Sequence, residues 1–180
     1  MRIEPVGPTR YGSPLAWLHW LSASTIIAAA MIGWYMVALP MSLRALKLFN
    51  WHKWLGVSAL ALLLLRLGAR LYGPVPAPPP MSRTQQSLAR FAHLALYVLM
   101  LSTPLLGWAY SSAAGFPVRW WGLLPLPDWV PRDRALAAAL KPLHQASAWL
   151  LVGLAALHIG AALKHQFLDR DGLLRRMRPW

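Results

Sequence analysis

The 180-residue chain contains no cysteine. That excludes disulfides, thiolate-held iron–sulfur clusters and covalent c-type haem attachment. Any redox cofactor would have to be held by histidine or methionine, and the chain has six histidines. Charge is also scarce. Asp, Glu, Lys and Arg make up 13% of the residues, against about 25% in a soluble domain. Acidic residues are the rarest, with 5 against 18 Lys and Arg, so the formal net charge is +13. Such an excess often signals nucleic-acid binding. Here most cations sit within a few residues of long apolar runs, where they meet lipid phosphates and set topology, so nucleic acid is excluded as a partner.

What the chain has in abundance is apolar sequence, at 57% of residues. It is gathered into runs at about 15–39, 51–72, 88–112 and 143–167. About 20 apolar residues span a bilayer. Lipid offers the backbone no hydrogen-bond partners, so each run must be a helix. The first run is too long for a signal-peptide core and no small-residue cleavage site follows it, so it reads as retained. The expected fold is all-α, an integral membrane four-helix up-down bundle forming one domain over 1–180. The connections are a short Pro40–Asn50 segment, a stiff linker with Pro74, Pro76, Pro78, Pro79 and Pro80, and a long Ala113–Pro142 segment. The last carries Trp120, Trp121 and Trp129, as an interfacial segment would, and a short helix is expected over Arg134–Lys141. Eleven of the 18 Lys and Arg lie on the side of the termini; Arg44, Lys47, Lys53, Arg119, Arg132, Arg134 and Lys141 lie on the other. The positive-inside rule then puts both termini in the cytoplasm.

With the helices alternating in direction, each histidine acquires a depth. His52 and His144 fall near the outer surface, His19, His93 and His158 toward the inner one, and His165 at the inner rim. On the fourth helix His144 and His158 are fourteen residues apart, which leaves them about 40° apart on one face and about 21 Å apart along the axis. His165 lies seven residues further on. One stripe therefore offers imidazoles at two depths. His144 can meet His52, and His158 can meet His19, so two bis-histidine haems stacked across the membrane follow. Gly33 lies fourteen residues from His19 and Gly107 fourteen from His93, at the depth where a porphyrin could approach the backbone. Arg66, fourteen residues from His52, is placed to pair with a propionate of the inner haem. A lone membrane histidine is commonly only an interhelical hydrogen-bonder. Two pairs matched in depth are harder to assign to packing.

The residues that carry these features resemble a known family, the bacterial cytochrome b561 proteins. They are LAWLHWLSA at 15–23, WHKWLGVSALALLLLRLGARL at 51–71, ARFAHLALYVLMLSTPLLGWAYSS at 89–112, LKPLHQ at 140–145, GLAALHIGAALKHQF at 153–167 and DGLLRRMRP at 171–179. More broadly the chain is similar to the cytochrome b subunits of hydrogenases and formate dehydrogenases. The resemblance implies the same pairing, with His19, His52, His144 and His158 as axial ligands to two b haems. It implies a quinone site near the inner haem with His93 and His165 close by, and a place in the bacterial inner membrane. Short free-standing members of the family are implied to pass electrons from superoxide to ubiquinone.

The expected function is thus a membrane di-haem cytochrome b that carries electrons to quinone and oxidises superoxide at the periplasmic face. The chemistry is consistent. Oxidising superoxide removes one electron and no proton, so the outer face needs attraction for an anion, which its cations supply. Reducing a quinone takes two protons, for which histidine is the natural donor. The alternatives are an electron-transfer subunit fed by a partner dehydrogenase or hydrogenase, and a haem-free scaffold. Expected partners are membrane lipid and quinone; superoxide, a redox partner protein and a second copy of the chain remain open.

Overall fold

The computed structural model describes residues 10–73, 76–77 and 81–180. Arg2, Pro74, Pro78, Pro79 and Pro80, which entered the reading of charge and linker, lie outside the described residues. Among those described, four helices are long and apolar enough to cross a membrane. They are α1 (Ser13–Val37), α2 (Leu43–Tyr72), α3 (Arg83–Ala113) and α4 (Arg134–Lys164). Their length and composition make the chain a multi-pass membrane protein.

The helices outrun the apolar segments that announce them. α2 starts eight residues before the expected Trp51, because Ser42 caps it by accepting from the Ala45 N–H at 3.2 Å. α3 starts at a capping box in which Ser82 and Gln85 satisfy each other's backbone donors. α4 starts at Arg134, where Asp133 accepts from the Leu136 N–H at 2.8 Å. The short helix expected over Arg134–Lys141 is therefore the first part of α4, which continues through Pro142. Polar caps rather than hydropathy decide where a helix begins. The Pro40–Asn50 and Ala113–Pro142 connections shrink accordingly.

The bundle is two antiparallel hairpins. α1 packs chiefly on α2 and α3 on α4, with a thinner seam between α2 and α3. Leu63, Met100 and Leu151 form the buried cluster, with Ile26 against it. Heptad spacing explains its level. Ile26 is seven residues from both His19 and Gly33, Met100 seven from both His93 and Gly107, and Leu151 seven from both His144 and His158. Seven residues return to nearly the same helix face about 10 Å along. An apolar layer thus lies midway between two histidine levels. Trp34, Leu71, Phe91 and Leu157 are among the large apolar side chains turned outward, toward lipid.

The α3–α4 connection closes one end. A small antiparallel pair, β1 (Arg119–Trp120) and β2 (Leu124–Pro125), turns at Trp121 and Gly122, both at positive φ. Its indoles are not simply interfacial. Trp121 stacks on Trp54, and Trp54 in turn donates to Arg119 O at 2.6 Å. Trp120 donates to Ser58 Oγ at 3.1 Å, and Trp129 meets Trp108. The other end carries both described termini. There α4 passes into a π-helical turn (His165–Asp169), a reversal and a 3-10 turn (Leu173–Met177). This segment ties the end together. Arg176 O accepts from the Tyr11 N–H at 3.1 Å, and the Arg176 guanidinium donates to Ala77 O at 2.6 Å.

Candidate functional site

Two pairs of imidazoles face one another between helices. At the end closed by the α3–α4 connection, His52 of α2 and His144 of α4 have ring centroids 6.0 Å apart and planes at 74°. Toward the end with the termini, His19 of α1 and His158 of α4 stand 6.4 Å apart, again at 74°. An imidazole–metal–imidazole sandwich with metal–nitrogen bonds of about 2 Å sets the centroids roughly 6 Å apart. Both expected pairs have that spacing. α4 makes few close backbone approaches to α1 or α2, so the helices bearing each pair stand apart while their hairpin partners hold them.

The His52–His144 level is built by one device used twice. His52 Nδ1 lies 2.9 Å from Ala29 O on α1, and His144 Nδ1 lies 3.0 Å from Thr103 O on α3. A carbonyl can only accept, so each Nδ1 carries the proton and each Nε2 keeps its lone pair for a metal. One turn beyond each carbonyl is a glycine. A Cβ on Gly33 would lie 2.8 Å from His52 Cε1, and one on Gly107 would lie 2.9 Å from His144 Cε1. These glycines make room for the imidazoles themselves.

The other level is more crowded and less satisfied. His158 has His93 as a second neighbour at 5.5 Å between centroids, closer than the roughly 6 Å of two imidazoles on opposite sides of one metal. His19 meets the edge of Trp20 at 5.2 Å, and Trp20 donates to Met177 O at 2.8 Å. Among the described residues, His19 Nδ1 and Arg66 Nε are buried without a hydrogen-bond partner. The Arg66 guanidinium lies 5.5 Å from the Tyr97 ring centroid, and it is within electrostatic reach of His19, His93 and His158. A buried cation without a carboxylate is costly in a membrane, and its orphaned donor suits an anion. Four imidazoles in two opposed pairs, two glycine cradles and a guanidinium whose buried Nε has no partner among the described residues together fit haem with its propionates.

The structure separates the two remaining histidines. His93 joins His19 and His158, whereas His165, at the π-helical turn, bonds to Asp171. Three kinds of functional contact escaped the sequence reading. The Ala29 and Thr103 carbonyls have no side-chain signature. Tyr97 is one apolar-run residue among many. Asp169 and Asp171 gave a signal that could have been used: two of only five acidic residues follow His165 closely.

Residues 10–180 match the family model described as prokaryotic cytochrome b561. "Cytochrome b561 homolog 2" of Escherichia coli (strain K12) is 35% identical over 175 residues, 94% of this chain and 92% of that protein. "Cytochrome b561 homolog 1" of the same organism is 30% identical, over 94% and 97% of the two chains. "Probable superoxide oxidase CybB" of Yersinia pestis is 28% identical, over 90% and 92%.

The cradle geometry generates a test. In Gly33→Ala or Gly107→Ala the new methyl displaces an imidazole from its carbonyl, with an overpacking cost of about 1–3 kcal/mol. Each variant is expected to lose most of the b-type absorbance of one level on purification, read in reduced-minus-oxidised spectra. Gly153→Ala, where no heavy atom lies within 4 Å of the added carbon, should match the parent protein. Full haem content in both cradle variants would show that the imidazoles have slack.

Proposed function

The chain belongs to the prokaryotic cytochrome b561 family, whose members are membrane electron-transfer cytochromes, and from that premise we propose that it holds two b haems. One lies between His52 and His144, the other between His19 and His158. On this reading the termini face the cytoplasm, as the distribution of Lys and Arg favours. Electrons enter from superoxide at the periplasmic face and leave to ubiquinone near the cytoplasmic one. The observation that carries the proposal is the pair of opposed imidazole couples, at 6.0 and 6.4 Å, on either side of the apolar layer. The likeness to a probable superoxide oxidase supports the choice of donor.

When bound, haem supplies one-electron redox chemistry; this chain's residues set where and how easily it happens. Ala29 O and Thr103 O orient His52 and His144 and make them stronger bases, which would favour the oxidised state of a haem held there. His19 lacks such a partner among the described residues, and Arg66 adds a buried positive charge beside the cytoplasmic level, which would favour the reduced state of a haem held there. Both effects direct electrons inward. Arg66 would also hold a propionate. At the periplasmic face Arg44, Lys47, Lys53, Arg119, Arg132, Arg134 and Lys141 outnumber Asp128 and Asp133, so an anion is drawn in. Lys53, next to His52, donates to Pro117 O at 3.3 Å and so stays near the α3–α4 connection. At the cytoplasmic level His93 and His165 are the groups that can hand protons to a reduced quinone.

Pyridine haemochrome analysis should find two haems per chain, and a redox titration should resolve two components. Replacing His52 or His144 by Ala is expected to remove the component of lower potential, and replacing His19 or His158 the other. The opposed rings, at 74°, should also give highly anisotropic low-spin electron paramagnetic resonance signals. A single haem per chain would sink the pairing.

Superoxide generated outside should reduce the haems, and ubiquinone should reoxidise them. The rate should fall with salt, since attraction between surface charges is screened over about 10 Å at 0.1 M ionic strength. Lys53→Gln and Arg119→Gln should slow reduction and leave the spectra alone. Haem reduction no faster than spontaneous dismutation would leave an electron-transfer subunit fed by a partner protein as the function.

His93→Ala and His165→Ala are expected to retain both haems and to slow their reoxidation by quinone. Loss of a haem from His93→Ala would reassign the cytoplasmic pair.

A further inference from the structure

Two of the chain's five acidic residues converge on one imidazole. His165 Nδ1 donates to Asp171 Oδ2 at 2.6 Å, and Asp169 Oδ2 lies 3.2 Å from the same nitrogen. The two carboxylates are not equivalent. Asp169 is engaged by Lys164, whose ammonium reaches its oxygens at 2.8 and 2.6 Å. Asp171 instead accepts from the Leu173 N–H at 2.9 Å on its other oxygen, which leaves Oδ2 directed at the imidazole.

The backbone departs from regular helix to achieve this. α4 loosens into a π-helical turn at His165–Asp169, and Arg170 then takes φ 53 and Gly172 φ 74. A left-handed conformation costs a non-glycine residue about 1–2 kcal/mol. Strain of this kind and π-turns both concentrate at functional positions. Here they fold the chain back so that a carboxylate six residues downstream lies against His165. Asp171 also lines a cavity of about 430 Å³ at this end, together with Gln166, Phe167, Arg170, Gly172 and Arg175. His165 and Asp171 side chains are 20% and 33% exposed, and Asp171 joins the couple to this opening.

We propose that Asp171 is a positioning residue for proton delivery: it fixes the proton of His165 on Nδ1, so that Nε2 exchanges protons between cavity water and a quinone. The inference rests on the proposed quinone reading of His165. The balance is simple. Each quinone takes two electrons from the haem path and two protons, one on each carbonyl oxygen, and becomes quinol. Each proton leaving His165 Nε2 is replaced from the cavity, while Nδ1–H stays on Asp171. Asp171 remains ionised throughout, as the carboxylate of a serine-protease triad does. Its partial burial works against this, but the Leu173 N–H, His165 and Arg176 together hold its carboxyl below the ordinary value. The charged groups around the couple are Lys164, Asp169, Arg170, Arg175 and Arg176, so net positive charge surrounds it.

The test uses the full-length haem-loaded protein, with pre-reduced haems reoxidised by a short-chain ubiquinone. Asp171→Asn keeps the shape and removes the charge. It should reoxidise at least ten-fold more slowly, within the range of general acid–base contributions. The rate should fall more steeply as pH rises, since protons then come from bulk water. Haem spectra and potentials should be unchanged, and Asp171→Glu should recover most of the rate. Nitrogen NMR of histidine-labelled protein should show His165 losing its Nδ1–H preference in Asp171→Asn, a readout independent of turnover. Asp171→Asn at the parental rate, with His165→Ala slow, would overturn the proposal and leave the quinone reading standing. Parental rates in both variants would remove the quinone reading of His165 itself, and this proposal with it. A slow Asp171→Asn with unaltered pH profile and tautomer would reduce Asp171 to a structural tie, which also overturns it.

Discussion

The bond from a histidine Nδ1–H to a main-chain carbonyl on a neighbouring helix organises this molecule more than any other contact. His52 makes it to Ala29 and His144 to Thr103. In a membrane an imidazole proton has no water to satisfy it, and an unmet donor is expensive. The carbonyl removes that cost and decides the tautomer, so the lone pair faces the partner ring. The glycine one turn on, Gly33 or Gly107, follows from the same requirement, because a side chain there would occupy the imidazole's place. The tight α1–α2 and α3–α4 hairpins are what bring ring, carbonyl and gap together.

The two ends of the bundle are consequently unlike. One has two imidazoles, each bonded through Nδ1 to a carbonyl, beneath a small hairpin pinned by Trp54, Trp120 and Trp121. The other has His19, His93 and His158 together, a guanidinium whose buried Nε has no partner among the described residues, and a C-terminal segment tied to Tyr11, Ala77 and Trp20. An apolar layer at Leu63, Met100 and Leu151 separates them. Such polarity gives a transmembrane electron carrier a direction. On the proposed haem reading, a histidine pair bonded to carbonyls would favour oxidised iron, and a buried cation would favour reduced iron.

Membership of the cytochrome b561 family accounts for the haem chemistry and the membrane setting. The specific arrangement of His165, Asp169 and Asp171 is a property of the local backbone. It depends on a π-turn and two left-handed residues, and it puts scarce acidic side chains where cations otherwise dominate.

The spans and the imidazole pairs were legible in the sequence, because both rest on periodicity. Twenty apolar residues in lipid have one secondary structure available, and fourteen-residue spacing returns to one face whatever the tertiary fold. Helix starts were less legible, since Ser42 and Asp133 act through hydrogen bonds that hydropathy does not register. Other features were decided only by tertiary structure. Ala29 and Thr103 contribute carbonyls, which every residue has, so nothing in their identity marks them as partners of His52 and His144. Gly33 and Gly107 lay at the right depth, yet which ring filled their gaps depended on how neighbouring helices rotate about their axes. Asp171 reaches His165 only because the chain reverses at Arg170 and Gly172. Local sequence limits the conformations open to each segment; close approach between segments selects the one that places these groups in contact.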